Sequence, residues 1–254
     1  MEKENLIGLQ DLVENSATRL PICLCIDNSG SMGAVIGGEY TSTGKTIYED
    51  GKNWNVVKGG VTRLSELERG LNLFFQAIKD DIQAKYAAEI NIVKFNDDVE
   101  CIVGFASIEH QNVPKLEAKG DTHMGEALNL SLDLLEERKN AYKDKGIDYY
   151  QPWLVIITDG ENNGKKEELQ KAIERINSLV NNKKLTIFPI YLGDEVNINE
   201  FRKISPKRAP LKLNELKFAE FFEWLSKSVS RTSQSVVGEK VTLDTTAIND
   251  WAEL

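Results

Sequence analysis

The sequence predicts an α/β fold: a doubly wound, mostly parallel central sheet with one antiparallel edge strand and helices on both faces. Three observations predict it. Leu20–Ile26 and the run within Pro152–Gly160 (PWLVIITDG) are almost continuously apolar, the pattern of strands buried on both faces. Segments with apolar residues at helical spacing alternate with such runs, in the order that builds a parallel sheet. At 254 residues the chain is long enough for one substantial core, and a single domain is expected.

The elements follow in order. Leu20–Ile26 is the first buried strand and ends abruptly in Asp27, Ser29 and Ser31. Leu64, Leu67, Leu71, Phe74, Phe75, Ile78 and Ile82 trace one face of a helix. A strand over Glu89–Phe95, a turn at Asn96–Asp98 and a strand over Val99–Phe105 form a hairpin that supplies the antiparallel edge. Met124, Ala127, Leu128, Leu132 and Leu135 mark the next helix, beginning just after Thr122. After the strand Gln151–Thr158 comes a helix carrying Leu169, Ala172, Ile173, Ile176 and Val180, then a strand over Leu185–Leu192, a short helical region and a strand over Ala209–Leu213. The last helix, Lys217–Val229, carries Phe218, Phe221, Phe222, Leu225 and Val229, an aromatic stripe at the spacing of a buried face. Glu136–Lys145 reads as a solvated helix end and loop. The polar tail has a short strand signal over Val241–Leu243 and an isolated Trp251.

Composition narrows the function classes. A net charge of −9 argues against a general nucleic-acid or anionic-membrane surface, because phosphate backbones recruit an excess of Lys and Arg. No stretch approaches the roughly 20 apolar residues of a membrane helix, and Met1–Ser16 is too charged for a secretory signal, so the expected location is the cytoplasm. Cys23, Cys25 and Cys101 read as core thiols: the first two lie too close along one strand for an unstrained disulfide, and His110 and His123 are the only histidines to complete a metal set.

The chemistry-bearing residues gather at strand ends. In open parallel sheets ligands collect beyond the carboxyl ends of the strands, where Asp27, Ser29 and Ser31 stand. Alternate positions of an extended segment point the same way, so these three can converge on one ion while Asn28 and Gly30 face elsewhere. Hard oxygen donors of this kind suit magnesium. Serines after a strand also commonly cap helices, so this loop alone leaves both readings open. Thr122, in KGDTHMGEAL, and Asp159, at the end of a second buried run, add oxygens from two further segments.

Between Asp27 and the first long helix lies the segment Ala34–Arg63. Within it Gly38–Thr46 (GEYTSTGKT) resembles a phosphate-binding loop, but it is one residue too long and lacks the preceding buried strand and following helix. Thr46–Val57, interrupted by Asp50-Gly51, signals a β-hairpin, with Tyr40, Tyr48 and Trp54 available to a partner. His123 lacks a nucleophile at a tight strand-to-helix turn and is not assigned a catalytic role.

Taken together, D-x-S-G-S after the first strand, G-x-T-x-x-G-x-A-L before a helix and T-D-G after a later strand resemble the von Willebrand factor A domain family with an intact metal-ion-dependent adhesion site. The resemblance implies that Ser29, Ser31 and Thr122 touch a metal directly, that Asp27 and Asp159 hold it largely through water, and that one coordination position stays open for a partner's carboxylate. R-L-P before the first strand, F-A-S, G-D-T-H-M-G-E-A-L, I-F-P-I-Y-L-G and F-A-E-F-F-E-W-L-S-K-S-V-S are similar to bacterial tellurium-resistance (TerY-type) proteins over roughly residues 19–254. The insertion at 34–63 departs from that pattern, whose loop is short.

The expected organisation is an N-terminal extension at 1–18, the domain at 19–231 with its insertion at 34–63, and a tail at 232–254. The expected function is a non-enzymatic, metal-dependent adaptor that uses Mg2+, with Mn2+ or Ca2+ as alternatives, to capture an Asp or Glu carboxylate of a protein partner. The resemblance adds kinase or phosphatase neighbours in bacterial stress resistance or defence, without direct nucleic-acid or membrane binding. Two alternatives are a Mg-dependent phosphohydrolase, for which no nucleophilic Asp-x-Asp or histidine–carboxylate pair is present, and a structural subunit whose metal stiffens the loop.

Overall fold

The computed structural model describes residues 15–49, 52–194, 196–205, 207–214, 216–239, 241, 243 and 252–253. The apolar run after Arg19 forms β1 (Leu20–Asp27), buried at every position. Its parallel neighbours are β4 (Ala88–Phe95) and β6 (Trp153–Thr158). Beyond β6 lie β7 (Thr186–Tyr191) and β8 (Leu211–Leu213), both parallel; β5 (Val99–Val103) pairs antiparallel with β4. A two-residue strand, β9 (Ala252–Glu253), adds a second antiparallel partner at the opposite edge, giving the order β5-β4-β1-β6-β7-β8-β9.

Strand periodicity divides the core in two. Leu20, Ile22, Leu24 and Ile26 of β1 and Trp153, Val155 and Ile157 of β6 enter one apolar cluster; Cys23, Cys25, Leu154 and Ile156 enter the other. The first cluster is covered by α1 (Arg63–Asp80) and α6 (Phe218–Ser233), the second by α3 (Met124–Asp144), α4 (Lys166–Asn181) and α5 (Ile198–Ile204). Helices therefore cover both faces, as the doubly wound pattern requires. A short α2 (Ala84–Ala87) leads into β4. Phe218, Phe221, Phe222, Leu225 and Val229 are all fully buried, so the aromatic stripe of α6 is core.

Several local expectations change. Ile82 is 77% exposed, because α1 ends at Asp80 and the helical stripe stops one turn short of it. Glu136–Lys145 is not a merely solvated helix end: Arg138 and Tyr142 are buried, and the Arg138 Nε donates to Glu89 Oε2 at 2.6 Å. Val241 and Leu243 lie outside any strand; β9 is formed by Ala252–Glu253 instead. Asp50-Gly51 and Trp251 lie outside the described residues.

The segment after the first loop forms an antiparallel pair, β2 (Val35–Glu49) with β3 (Lys52–Thr62), separate from the main sheet. Gly44, Lys45 and Thr46 lie within β2, and among the described residues no helix follows until α1, so a strand stands where a phosphate loop needs its helix. Tyr40 and Tyr48 are exposed on this hairpin, and Trp54 is half-buried. The hairpin returns to the body where the Arg63 N–H donates to Ala34 O at 3.1 Å. There Thr62 caps α1: the Ser65 N–H donates to Thr62 Oγ1 at 3.1 Å and the Thr62 N–H to Ser65 Oγ at 2.8 Å. This capping box fixes Arg63 as the first helical residue.

Candidate metal centre

Three loops meet at the carboxyl ends of β1 and β6. Parallel register sets Ile26 beside Ile157, so Asp27 and Thr158, the next residues, end their strands together. The Thr158 hydroxyl donates to Asp27 Oδ2 at 2.5 Å, and the Ser29 N–H donates to Asp27 Oδ1 at 2.8 Å. Both carboxylate oxygens of Asp27 are thereby oriented from within the protein.

The loop after β1 is not extended throughout. Gly30–Gly33 forms a 3-10 turn, and Ser29 stands at its N-cap without making a side-chain cap bond. Alternation therefore accounts for Asp27 and Ser29, whereas Ser31 reaches the same place through the turn. Ser29 Oγ and Ser31 Oγ are 3.1 Å apart, and Ser31 Oγ donates to Asp159 Oδ1 at 2.6 Å. Asn28 points away, its amide donating to Glu117 O at 2.9 Å.

Thr122 joins through the backbone. The Gly30 N–H donates to Gly120 O at 2.9 Å and the Lys119 N–H to Asn28 O at 3.0 Å, lacing the first loop to the Thr122 loop. The Thr122 carbonyl accepts from Asn163 N–H at 2.8 Å, tying it to the loop after β6. A Cβ on Gly160 would stand 3.3 Å from Thr122 Oγ1, so glycine leaves that hydroxyl uncrowded. Asp27, Ser29, Thr122 and Asp159 are buried and Ser31 is half-buried.

Burial, together with the charge of Asp159, pushes the Asp27 carboxyl up to about 7 despite its hydrogen bonds. Two carboxylates in one buried site call for positive charge. Part of it comes from Arg63, whose Nη1 donates to Asp159 Oδ2 at 2.8 Å. The remaining donor set, three hydroxyls and two carboxylates, is all hard oxygen, which fits a cation of the magnesium or calcium type.

Sequence reasoning missed Arg63, because nothing in a helix N-terminus 96 residues from Asp159 marks it as a partner. It also missed that Asp97, Asp121 and His123 gather with their ligand atoms within 4.8 Å of one another, flanking Thr122. The Asp121 N–H donates to Asp97 Oδ1 at 2.9 Å, so part of this grouping is a loop-to-turn tie.

The von Willebrand factor type A domain pattern matches residues 22–162, more than half of the chain and inclusive of all five residues. No curated protein matches the sequence. Among solved structures the fold is similar to a von Willebrand factor type A protein from Catenulispora acidiphila, at 17% identity and a TM-score of 0.53 over 85% of this chain and 43% of that one. It is also similar to the PilB minor pilin from Streptococcus sanguinis, at 13% identity and a TM-score of 0.50 over 84% of this chain and 62% of that one. The chain thus spans less than two thirds of either protein, and what these identities carry is the fold.

Proposed function

This chain belongs to the von Willebrand factor type A domain family, and from that premise we propose that it is a metal-dependent protein-interaction module. In this reading Asp27, Ser29, Ser31, Thr122 and Asp159 form a metal-ion-dependent adhesion site for Mg2+, with Mn2+ or Ca2+ as alternatives. The open position takes an Asp or Glu carboxylate of a protein partner. The observation that carries the reading is the 2.6 Å hydrogen bond from Ser31 to Asp159, which joins loops 128 residues apart beside two buried carboxylates, Asp27 and Asp159.

When bound, the cation supplies an electrophile: neutral hydroxyl ligands leave more of its charge uncancelled than direct carboxylates would, so an incoming carboxylate completes the shell favourably. The chain's own residues prepare the site. Thr158 and the Ser29 N–H hold Asp27, Ser31 donates to Asp159, and Arg63 balances the charge of Asp159 while the cation is absent. Domains of this family generally serve as interaction modules, and the non-enzymatic assignment follows that habit.

The proposal extends, through the resemblance to tellurium-resistance (TerY-type) proteins, to a cytoplasmic role in bacterial stress resistance or defence with kinase or phosphatase neighbours. Among the described residues no helix is long and apolar enough to cross a membrane. The division proposed is an extension at 1–18, the domain at 19–231 with its insertion at 34–63, and a tail at 232–254.

The test is calorimetric titration of Mg2+ into the wild type and Asp27→Ala, followed by affinity capture from a bacterial lysate with Mg2+ or chelator. Wild type should bind one ion and retain partners only with Mg2+, and Asp27→Ala should do neither. Identical capture in all four arms would overturn the adhesion-site reading.

A further inference from the structure

At the opposite end of the sheet, a cavity of about 860 Å3 lies between the starts of β6 and β7, the carboxyl ends of α3 and α4, and the chain that follows α6. The six residues of β6 separate it from Asp159 by about 20 Å of strand. Its volume is that of a small-molecule site. Its charge runs against that of the whole protein: among the described residues five cations, Lys139, Lys143, Lys183, Lys184 and Arg208, line it with two carboxylates, Glu136 and Glu239, in a chain of net charge −9.

Internal pairing explains only part of this charge: Lys139, with Lys143 and Lys184 adding to it, holds the carboxyl of Glu136 below its usual value, and that one carboxylate serves all three. Lys139 is matched by Glu136, with the ammonium 2.5 Å from Oε2. Among the described residues Lys183, Lys184 and Arg208 have no carboxylate at ion-pair distance. Helix carboxyl ends attract cations, but the last carbonyls of α4 already have donors: the Lys183 and Lys184 N–H groups bond to Val180 O and Leu179 O, and the Lys207 ammonium reaches Val180 O at 3.2 Å. The side chains of Lys183 and Lys184 are left exposed at the cavity.

Arg208 adds the sharper sign. Its guanidinium is half-buried, stacked 4.4 Å above the Phe188 ring, which in turn meets Trp153 edge-on at 5.1 Å. Burial without a countercharge pulls this guanidinium below its usual value. A planar guanidinium held rigidly on an aromatic face, with ammonium groups beside it, is suited to phosphate oxygens, which it grips with two parallel hydrogen bonds. Tyr149, half-buried, lines the same space and offers ring surface to a planar group, whereas Tyr150 beside it is packed into the core.

We infer that this cavity binds a phosphate-bearing small molecule of nucleotide size, its phosphates held by Arg208, Lys183 and Lys184 and its planar part against the ring of Tyr149. The site is independent of the proposed adhesion site at the other end of the sheet.

The test is calorimetric titration of ADP into the full chain in chelator, with inorganic pyrophosphate and adenosine as separate probes. ADP should bind one-to-one, pyrophosphate more weakly and adenosine not at all. Arg208→Gln should weaken ADP at least tenfold and the exposed Lys184→Gln severalfold, with folding checked by circular dichroism. Lys45→Gln, which removes a charge from the exposed hairpin, should leave the affinity unchanged. Absence of ADP and pyrophosphate binding to the wild type, or ADP binding that survives both Arg208→Gln and Lys184→Gln, would overturn the inference. Pyrophosphate binding as tightly as ADP would overturn its nucleotide part.

Discussion

Arg63 donates from Nη1 to Asp159 Oδ2 at 2.8 Å, so the first residue of α1 meets the carboxylate that directly follows β6. The pair links the base of the hairpin insertion to the candidate metal centre. With the Asp159 side chain fully buried and that of Arg63 only 19% exposed, the guanidinium supplies positive charge that a divalent cation would otherwise provide.

Arg63→Ala should therefore tighten Mg2+ binding, by about threefold if the lost pairing is worth on the order of 0.5–1 kcal/mol. The metal-free protein should melt at a lower temperature, and Mg2+ should restore more of that loss than in the wild type. Titration calorimetry and melting in chelator measure both. Weaker Mg2+ binding in the variant would mean that Arg63 orients Asp159 rather than competing with the ion.

Asp27 sets a pH dependence. Its carboxyl is raised to about 7 by burial and by Asp159, above the roughly 3.9 of an unfolded chain. The metal-free native state thus holds a proton that the unfolded chain has lost. This group's contribution to stability is present below about pH 4 and disappears as pH rises to about 7. Cation binding needs the ionised form, so Mg2+ affinity should rise with pH, level off above about 7, and release a proton below it. Calorimetry at pH 6 in two buffers of different ionisation heat reads the proton directly; no proton release would refute the assignment.

Glu89 anchors the other end of the sheet. Its carboxylate lies 3.2 Å from Arg19 Nε and 2.6 Å from Arg138 Nε, and it accepts from the Tyr142 hydroxyl. All four residues are buried. Glu89→Ala leaves two guanidinium groups without their shared anion and should cost about 3–5 kcal/mol in urea denaturation. A loss below about 1 kcal/mol would show that water or backbone replaces the carboxylate.

Gly125 sets the approach of α3 to α4. A Cβ there would lie 2.3 Å from Leu169 N and 2.7 Å from Leu169 Cα, contacts that backbone cannot relieve by rotation. Gly125→Ala should destabilise by about 1–3 kcal/mol and, because Thr122 precedes this turn, weaken Mg2+ binding as well. Chemical denaturation and calorimetry on the same variant check the two effects.

The sequence by itself determined the doubly wound architecture and pointed to Asp27, Ser29, Ser31, Thr122 and Asp159, because burial on both faces, helical spacing and strand ends are local patterns. Ile82 shows how far periodicity extends: the stripe continues in sequence after the helix has stopped. Only the tertiary structure decided which charges meet. Arg138 read as solvated until Glu89, 49 residues away, came beside it, and Arg63 carried no signal until the hairpin brought it to Asp159. The cationic cavity likewise joins the ends of α3 and α4 to Arg208, just before β8. A charge's role depends on its partner, and partners distant in sequence are chosen by strand register and helix packing, which no local pattern encodes.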